Sequence, residues 1–282
     1  MNKMVKCALL CLTGIFILSS AHADEKISKQ GPWEKAAISF GGFISSNNTA
    51  FRLGSGAGVD LDIEEFLGLD TTNSVFRMGG LWRFTENRRH RMDLSWFRLQ
   101  RSGDTSIGQD IVIPGEGEEE DIIIETGTKV ESYFDIDLYQ LAYSYSFLQD
   151  DRIDVAARVG LYIMPMQFGI KATGVVDNQG EADFTAPLPT FGFRMDIALT
   201  PKWFFRSGTQ LFYLEYEEFV GSILAFDSAV EYVPWKHVGI GLGVDALEMR
   251  VEADGEDYTG IDFTGAMEFS YIGLQLYVKA YF

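Results

Sequence analysis

Strict alternation of apolar and polar residues runs through most of the chain, and the segment 271–282 (YIGLQLYVKAYF) shows it most clearly. In an extended strand, successive side chains point to opposite faces. The apolar face of this segment holds Ile272, Leu274, Leu276, Val278, Ala280 and Phe282. A tilted strand that crosses a bilayer needs roughly 9–11 residues, so the pattern predicts an amphipathic strand that is long enough to span a membrane.

The alternation repeats along the chain with almost no helical periodicity, and it predicts ten strands. Their expected ranges are 36–52, 75–86, 90–101, 129–148, 152–168, 187–200, 202–216, 220–234, 237–251 and 263–282. The connections alternate between short turns and longer loops. This wiring is typical of a membrane barrel with an even strand number and with both chain ends on the short-turn side. Eight or twelve strands also fit, because strand boundaries read from a sequence shift by several residues.

Lipid as the solvent requires the sheet to close. Every backbone amide in a bilayer must pair inside the protein, so an open sheet edge is not tolerated. The expected fold is therefore all-β, a transmembrane antiparallel up-and-down β-barrel over residues 36–282, with apolar faces toward lipid and small and polar faces inward. Aromatic residues near the short turns would form an interfacial girdle. They are Trp82, Phe84, Trp203, Phe205, Tyr232, Trp235 and Phe282. The alternative is a secreted sandwich or a lipocalin-like barrel, whose apolar faces point inward.

The first residues have the composition of a secretory signal peptide, which we expect to cover residues 1–23. Two lysines precede an apolar stretch at 7–18, and Ala-His-Ala at 21–23 fits a cleavage site. A periplasmic segment, 24–35, would follow. Both cysteines lie within the signal, so we expect no disulfide in the mature chain.

Net charge limits the partners. The formal charge is −18, and so acidic a chain repels nucleic acid. Carboxylates concentrate in three long connections, where they could bind Ca²⁺ or Mg²⁺. They are Asp60, Asp62, Glu64, Glu65 and Asp70 in the first, residues 115–121 in the second, and Glu252, Asp254, Glu256, Asp257 and Asp262 in the last. No EF-hand spacing is present, so we expect solvated loops with weak divalent binding at most, and no cofactor.

Charged residues on the predicted inward faces are a further candidate site. They are Arg77, Arg83, Arg158, Arg194, Arg206, Asp137, Asp154, Asp196, Asp227, Glu231 and Asp245. Mixed signs in a narrow interior favour paired networks, and a barrel of about ten strands has little room beside them. We therefore expect a largely filled lumen. The alternative is a constriction that selects small solutes, which would make the protein a narrow passive pore.

Catalytic chemistry has little support in the sequence. Lipid hydrolases of this kind typically need a histidine base beside a serine, and proteases resembling omptins use aspartate pairs with a histidine. After residue 23 the chain has only His90 and His237, each beside a short turn and neither in a His-x-Ser pattern. We expect no enzyme, and a membrane-embedded lipid hydrolase or protease is the third candidate.

The signal peptide, the alternating strands and the final strand ending in Phe282 resemble those of Gram-negative outer-membrane β-barrel proteins. The segment 59–103, with DLDIEEFLGLD and a hairpin around ENRRHR, also resembles a pattern of uncharacterised proteobacterial barrels that implies no activity. The resemblance implies an outer-membrane location among lipid and lipopolysaccharide, with both termini periplasmic. It also implies that the barrel-assembly machinery reads the last strand, through Tyr271, Leu274, Leu276, Val278, Ala280 and Phe282. The expected role is structural or one of surface interaction, with acidic surface loops.

Overall fold

The computed structural model describes residues 32–53, 60–62, 68–106, 111–113, 122–124, 126–172, 179–216, 219–253 and 265–282. Over these ranges the chain forms strands, and none of them holds a helix that could span a membrane. The predicted signal peptide, most of the segment 24–35 and residues 115–121 lie outside the described residues. Three short strands lie in the long connections, namely β2 (Asp60–Asp62), β5 (Ile111–Ile113) and β6 (Ile122–Ile124).

Ten long strands form the wall of the molecule. They are β1 (Ala36–Leu53), β3 (Thr72–Arg83), β4 (His90–Ser106), β7 (Lys129–Gln149), β8 (Ile153–Ala172), β9 (Gln179–Ala198), β10 (Trp203–Tyr216), β11 (Phe219–Trp235), β12 (Val238–Ala253) and β13 (Gly265–Tyr281). Each pairs antiparallel with the long strands before and after it. β13 also pairs with β1, in a register that runs from Ala37 opposite Tyr281 to Leu53 opposite Gly265. The closed ring of ten antiparallel strands confirms the predicted fold class and strand number.

The two ends of the barrel differ. The short-turn end carries the connections between β3 and β4, β7 and β8, β9 and β10, and β11 and β12, together with residues 32–35 and Phe282. Arg88 adopts a positive φ of 55° in the first of these turns. The opposite, long-loop end carries the remaining connections. The one between β10 and β11 was predicted to be one of the longer loops, but it spans only residues 217–218.

The strands invert their polarity part-way along their length. On β12 the outward residues from Val238 to Ala246 are apolar, and the inward residues from Gly239 to Asp245 are glycines and one aspartate. Beyond Ala246 the pattern reverses, although the backbone alternation continues without interruption. The inward side chains are then Leu247, Met249 and Val251, and the outward ones are Glu248, Arg250 and Glu252.

The same inversion occurs on the neighbouring walls. It falls between Trp96 and Phe97 on β4, between Leu138 and Tyr139 on β7, and near Tyr271 on β13. We call the wall from the short turns to the inversion the lower section and the rest the upper section. The lower section has an apolar exterior and a polar interior, as a strand in lipid requires. The upper section has a polar exterior and a mainly apolar interior, as a sheet wall in water requires. The polar side chains that are also buried there include Asn47, Thr49, Arg101 and Ser132.

Candidate functional site: the barrel interior

Ion pairs fill the interior of the lower section and connect opposite walls. Arg83 on β3 donates to Asp154 on β8 at 2.9 Å, and both side chains are fully buried. Arg91 on β4 donates to Asp196 on β9 at 3.0 Å. Arg194 donates to both aspartates, at 3.1 and 2.6 Å. We call this network the ion-pair layer, and its members are Glu34, Arg83, Arg91, Asp93, Asp154, Arg194, Asp196, Arg206, Glu231 and Lys279.

Two carboxylates are the centres of this layer. Asp196 lies within ion-pair distance of four guanidinium groups, those of Arg83, Arg91, Arg194 and Arg206. Glu231 accepts from Arg206 at 2.5 Å, Lys279 at 2.9 Å, Tyr277 at 2.8 Å and Tyr281 at 3.2 Å. Buried charges need this degree of pairing, because an uncompensated ion in a low-dielectric interior is strongly destabilising.

A smaller cluster lies at the level of the inversion. Arg77 on β3 donates to Asp245 on β12 at 2.7 Å, again across the lumen. The hydroxyl of Tyr271 donates to the same carboxylate at 2.6 Å. The Arg77 guanidinium lies 5.3 Å from the ring centroid of Phe97 and 5.9 Å from that of Phe43. This cluster therefore joins the ion-pair layer to the apolar residues above it.

The interior of the upper section is an apolar layer. Four fully buried phenylalanines form its centre, and their rings contact across strands. Phe43 lies 5.5 Å from Phe97, and Phe134 lies 6.4 Å from Phe269, between ring centroids. Leu69 joins them from the first long connection. The other members are Leu99, Val130, Ile136, Leu138, Tyr162, Met164, Met166, Leu188, Ile223, Ala225, Leu247, Met249, Val251, Met267 and Tyr271.

A polar chamber of about 170 Å³ lies within the lower section, beside the ion-pair layer. Arg158 and Asp227 line it, and their closest nitrogen and oxygen atoms are 3.9 Å apart, too far for a hydrogen bond. Gly208 makes room for this pair, since a Cβ there would lie 2.6 Å from an Asp227 oxygen. The chamber is polar and large enough to hold several waters.

Residues 32–35 cover the short-turn opening. Trp33 is 2% exposed, and its indole N–H donates to the carbonyl oxygen of Asp150 at 2.8 Å. Arg88 donates to the carbonyl oxygen of Trp33. Glu34 lies 3.0 Å from Arg206 and 3.3 Å from Lys279. Burial alone would raise the pKa of the Glu34 carboxyl, but these cations together with Arg83 and Arg91 hold that pKa well below its ordinary value.

Ten of the eleven charged residues predicted for the lumen lie on inward faces, and Asp137 does not. Asp137 lies on the outward face of β7, where Arg98 donates to it from Nε at 2.9 Å and Trp96 donates at 3.1 Å. The lumen prediction was wrong for Asp137 because it placed polar side chains inward along the whole strand, whereas that rule holds only below the inversion and Asp137 lies above it. Sequence reasoning also missed four members of the ion-pair layer, which are Glu34, Arg91, Asp93 and Lys279.

The residues predicted as an assembly signal lie on both faces of β13. Tyr271 points inward and is buried, whereas Leu274, Leu276, Val278 and Phe282 are exposed on the outward face. Ala280 shares their outward face and is half-buried. Their role in assembly stays a prediction.

Both histidines lie at the short-turn end. The Nδ1 atom of His90 is 2.7 Å from the Tyr143 hydroxyl, and that of His237 is 3.0 Å from the carbonyl oxygen of Tyr281. Among the described ranges, no group of three His, Cys, Asp or Glu residues could hold a metal ion. Most of the carboxylates predicted to bind divalent cations lie outside these ranges.

The chain matches no protein-family model and no curated protein sequence. Solved structures do resemble it. The outer membrane protease OmpT from Escherichia coli has a TM-score of 0.54 at 9% identity, covering 92% of this chain and all of its own. Ail of Yersinia pestis (TM-score 0.32, 9% identity, 87% and 99% coverage) and the Pseudomonas putida toluene transporter TodX (0.30, 9%, 88% and 90%) are more distant. At this identity the likeness to OmpT concerns the fold and not the activity. With its closed ring of ten antiparallel strands, the chain has the fold of the Gram-negative outer-membrane β-barrels.

Proposed function

We propose that this chain is an integral outer-membrane barrel with a closed lumen and a non-enzymatic role, structural or in surface interaction. Both termini would lie on the periplasmic side, and the acidic long loops would face outward. The observation that carries the proposal is the pair of interior layers, one ionic and one apolar, that cross the lumen in series.

The apolar exterior of the lower section supports membrane placement. On β13 the outward apolar residues from Ile272 to Phe282 cover about 33 Å of strand, or about 25 Å along the barrel axis at an ordinary tilt of about 40°. Exposed tryptophans mark its short-turn edge, at Trp82, Trp203 and Trp235. Tryptophan prefers the membrane–water interface. In water this surface would be a large apolar patch of the kind that soluble monomers avoid.

The two layers support a closed lumen for different physical reasons. Each cross-wall ion pair, such as Arg83 with Asp154 or Arg77 with Asp245, would have to break before a solute could pass. In the upper section a hydrated ion would have to lose water in an interior that is mainly phenylalanine, leucine and methionine, where only a few polar side chains such as Asn47 and Thr49 could replace its hydrogen bonds. A solute that crossed the barrel would meet both barriers.

A narrow passive pore is the second candidate, and the cavities favour it. A second cavity, of about 650 Å³, lies at the short-turn end, and Arg206 lines both this cavity and the chamber. Movement of the Arg206 side chain would therefore join the two spaces. An enzyme is the third candidate. Two observations count against it. Asp154 and Asp196, which could act as catalytic carboxylates, are already paired with arginines, and both histidines lie away from the long-loop end.

Electrical recording in planar bilayers tests the closed lumen. We expect no stable single-channel conductance, because both layers remain intact in the native chain. A reproducible conductance that rises when Arg206 is replaced by alanine would establish the pore instead. Tyr213→Ala, on the outward face of β10, is the matched control and should change nothing in either case.

Spin labels on single cysteines test the membrane placement. The chain after residue 23 has no cysteine, so Ile272→Cys and Glu268→Cys each give one labelled site on the outward face of β13. We expect the label at residue 272 to collide with oxygen in the lipid and the label at residue 268 to collide with a water-soluble nickel chelate. Equal access of the chelate to both sites would contradict a lipid boundary at the inversion.

A further inference from the structure

The cavity of about 650 Å³ at the short-turn end has a basic rim and an aromatic wall. It lies between residues 32–35, the turn that joins β9 to β10, and the turn that joins β11 to β12. Its volume is within the range of small-molecule sites, about 300–1,000 Å³. The basic residues that line it are Lys35, Arg88, Lys202, Arg206, Lys236 and His237, and the aromatic ones are Trp33, Phe204, Trp235, Tyr281 and Phe282.

Three of the basic residues at this rim have no acidic partner in the described ranges, unlike Arg206. Lys35, Lys202 and Lys236 are exposed, and none of them forms an ion pair with a carboxylate of the described ranges. Among the residues that line the cavity, Glu34 is the one acidic side chain, and Arg206 and Lys279 already bind it. The cavity therefore attracts an anion.

The cavity also continues onto the outer face of the barrel. Trp235 and Phe282 line it, yet they are 65% and 69% exposed and belong to the aromatic girdle. Side chains of this type mark the depth of lipid headgroups. A ligand that matches the whole site would carry an anionic group for the lysines and an apolar part for the girdle.

We propose that this cavity binds the headgroup of an acidic glycerophospholipid from the leaflet on the short-turn side. The phosphate oxygens would accept hydrogen bonds from Lys202 and Lys236, since charge-assisted hydrogen bonds are the strong ones. The acyl chains would extend from the cavity into the bilayer along Trp235 and Phe282. This inference rests on the membrane placement proposed above, and it adds a lipid class and a location to that placement.

Native mass spectrometry of the folded barrel in detergent tests the site. The probes are phosphatidylglycerol, phosphatidylcholine with the same acyl chains, and soluble glycerol phosphate. We expect phosphatidylglycerol to bind at least about tenfold more tightly than phosphatidylcholine. Lys202→Gln/Lys236→Gln should remove that preference, because these two lysines supply the basic charge that favours an anionic lipid.

Arg89→Gln/Arg152→Gln is the matched control, since it removes the same charge from the same end but outside the cavity. This pair should keep the preference. Equal losses in both pairs would overturn the site in favour of a general surface attraction. Competition by glycerol phosphate at equal concentration would overturn the lipid assignment in favour of a soluble phosphate ligand. The spin labels on β13 report membrane placement independently, so failure of the lipid site leaves that result unchanged.

Discussion

Replacing Arg83 with methionine is expected to lower the free energy of unfolding by about 3–5 kcal/mol. The substitution removes one of the cations that bind Asp154 and Asp196 inside the barrel, where both carboxylates are buried. Removing one cation leaves the buried ion-pair layer with an excess of negative charge, and breaking a buried ion pair from one side has a cost of this size. Guanidinium titration of the barrel folded in vesicles, followed by tryptophan fluorescence, measures the change.

Two further variants separate charge from packing. Arg98→Met removes an arginine that pairs with Asp137 on the outer face, where its side chain is 50% exposed, and should cost far less than Arg83→Met because surface ion pairs contribute little to stability. Arg83→Met/Asp154→Leu removes the main partner as well and should recover part of the loss. If Arg83→Met cost no more than Arg98→Met, the ion-pair layer would not be a structural element of the barrel.

Replacing Phe97 with alanine is expected to cost about 3–5 kcal/mol as well, for a different reason. Phe97 is fully buried in the apolar layer, and its ring contacts those of Phe43 and Tyr271. Truncation removes these contacts and leaves a cavity that the stiff barrel wall cannot fill. The same guanidinium titration gives the loss, and conductance should stay absent because the ion-pair layer is unchanged.

Tyr213→Ala is the control for the second prediction. The Tyr213 ring lies on the outward face of β10 and is largely exposed. Its removal should therefore cost far less than the removal of the Phe97 ring. A loss at Phe97 as small as the loss at Tyr213 would show that the upper section has no packed interior. The apolar layer would then offer no barrier to solutes.

The strands were predictable from the sequence because successive side chains of any extended backbone point to opposite faces. Most long strands were predicted within a few residues of their observed bounds, although β9 begins at Gln179 and not at residue 187, and β4 ends at Ser106 and not at residue 101. The faces of the lower section followed from lipid outside and charge inside. The upper section was not predictable by the same rule, since its solvent is water and its polarity is reversed. Asp137 was misplaced for this reason. The sequence of β7 does contain a signal for the inversion. The apolar residues Phe134, Ile136 and Leu138 lie on the inward face, whereas the large apolar residues after Leu138 lie on the outward face.

Contacts made by residues 32–35 were beyond the reach of sequence reasoning. Nothing in the local sequence indicates that Trp33 binds Asp150 or that Glu34 binds Lys279, because these partners are brought together only by closure of the ring. The identity of the pairs in the ion-pair layer depends in the same way on which strands face each other across the lumen.

Residues 32–35 also impose an order on folding. The hydrogen bond from Trp33 spans 117 residues, and Glu34 needs Lys279 from the last strand. Loop-closure entropy makes contacts between such distant residues late events. Glu34 can reach Lys279 only when β1 has paired with β13, so protection of the neighbouring Trp33 indole would report that the ring is complete.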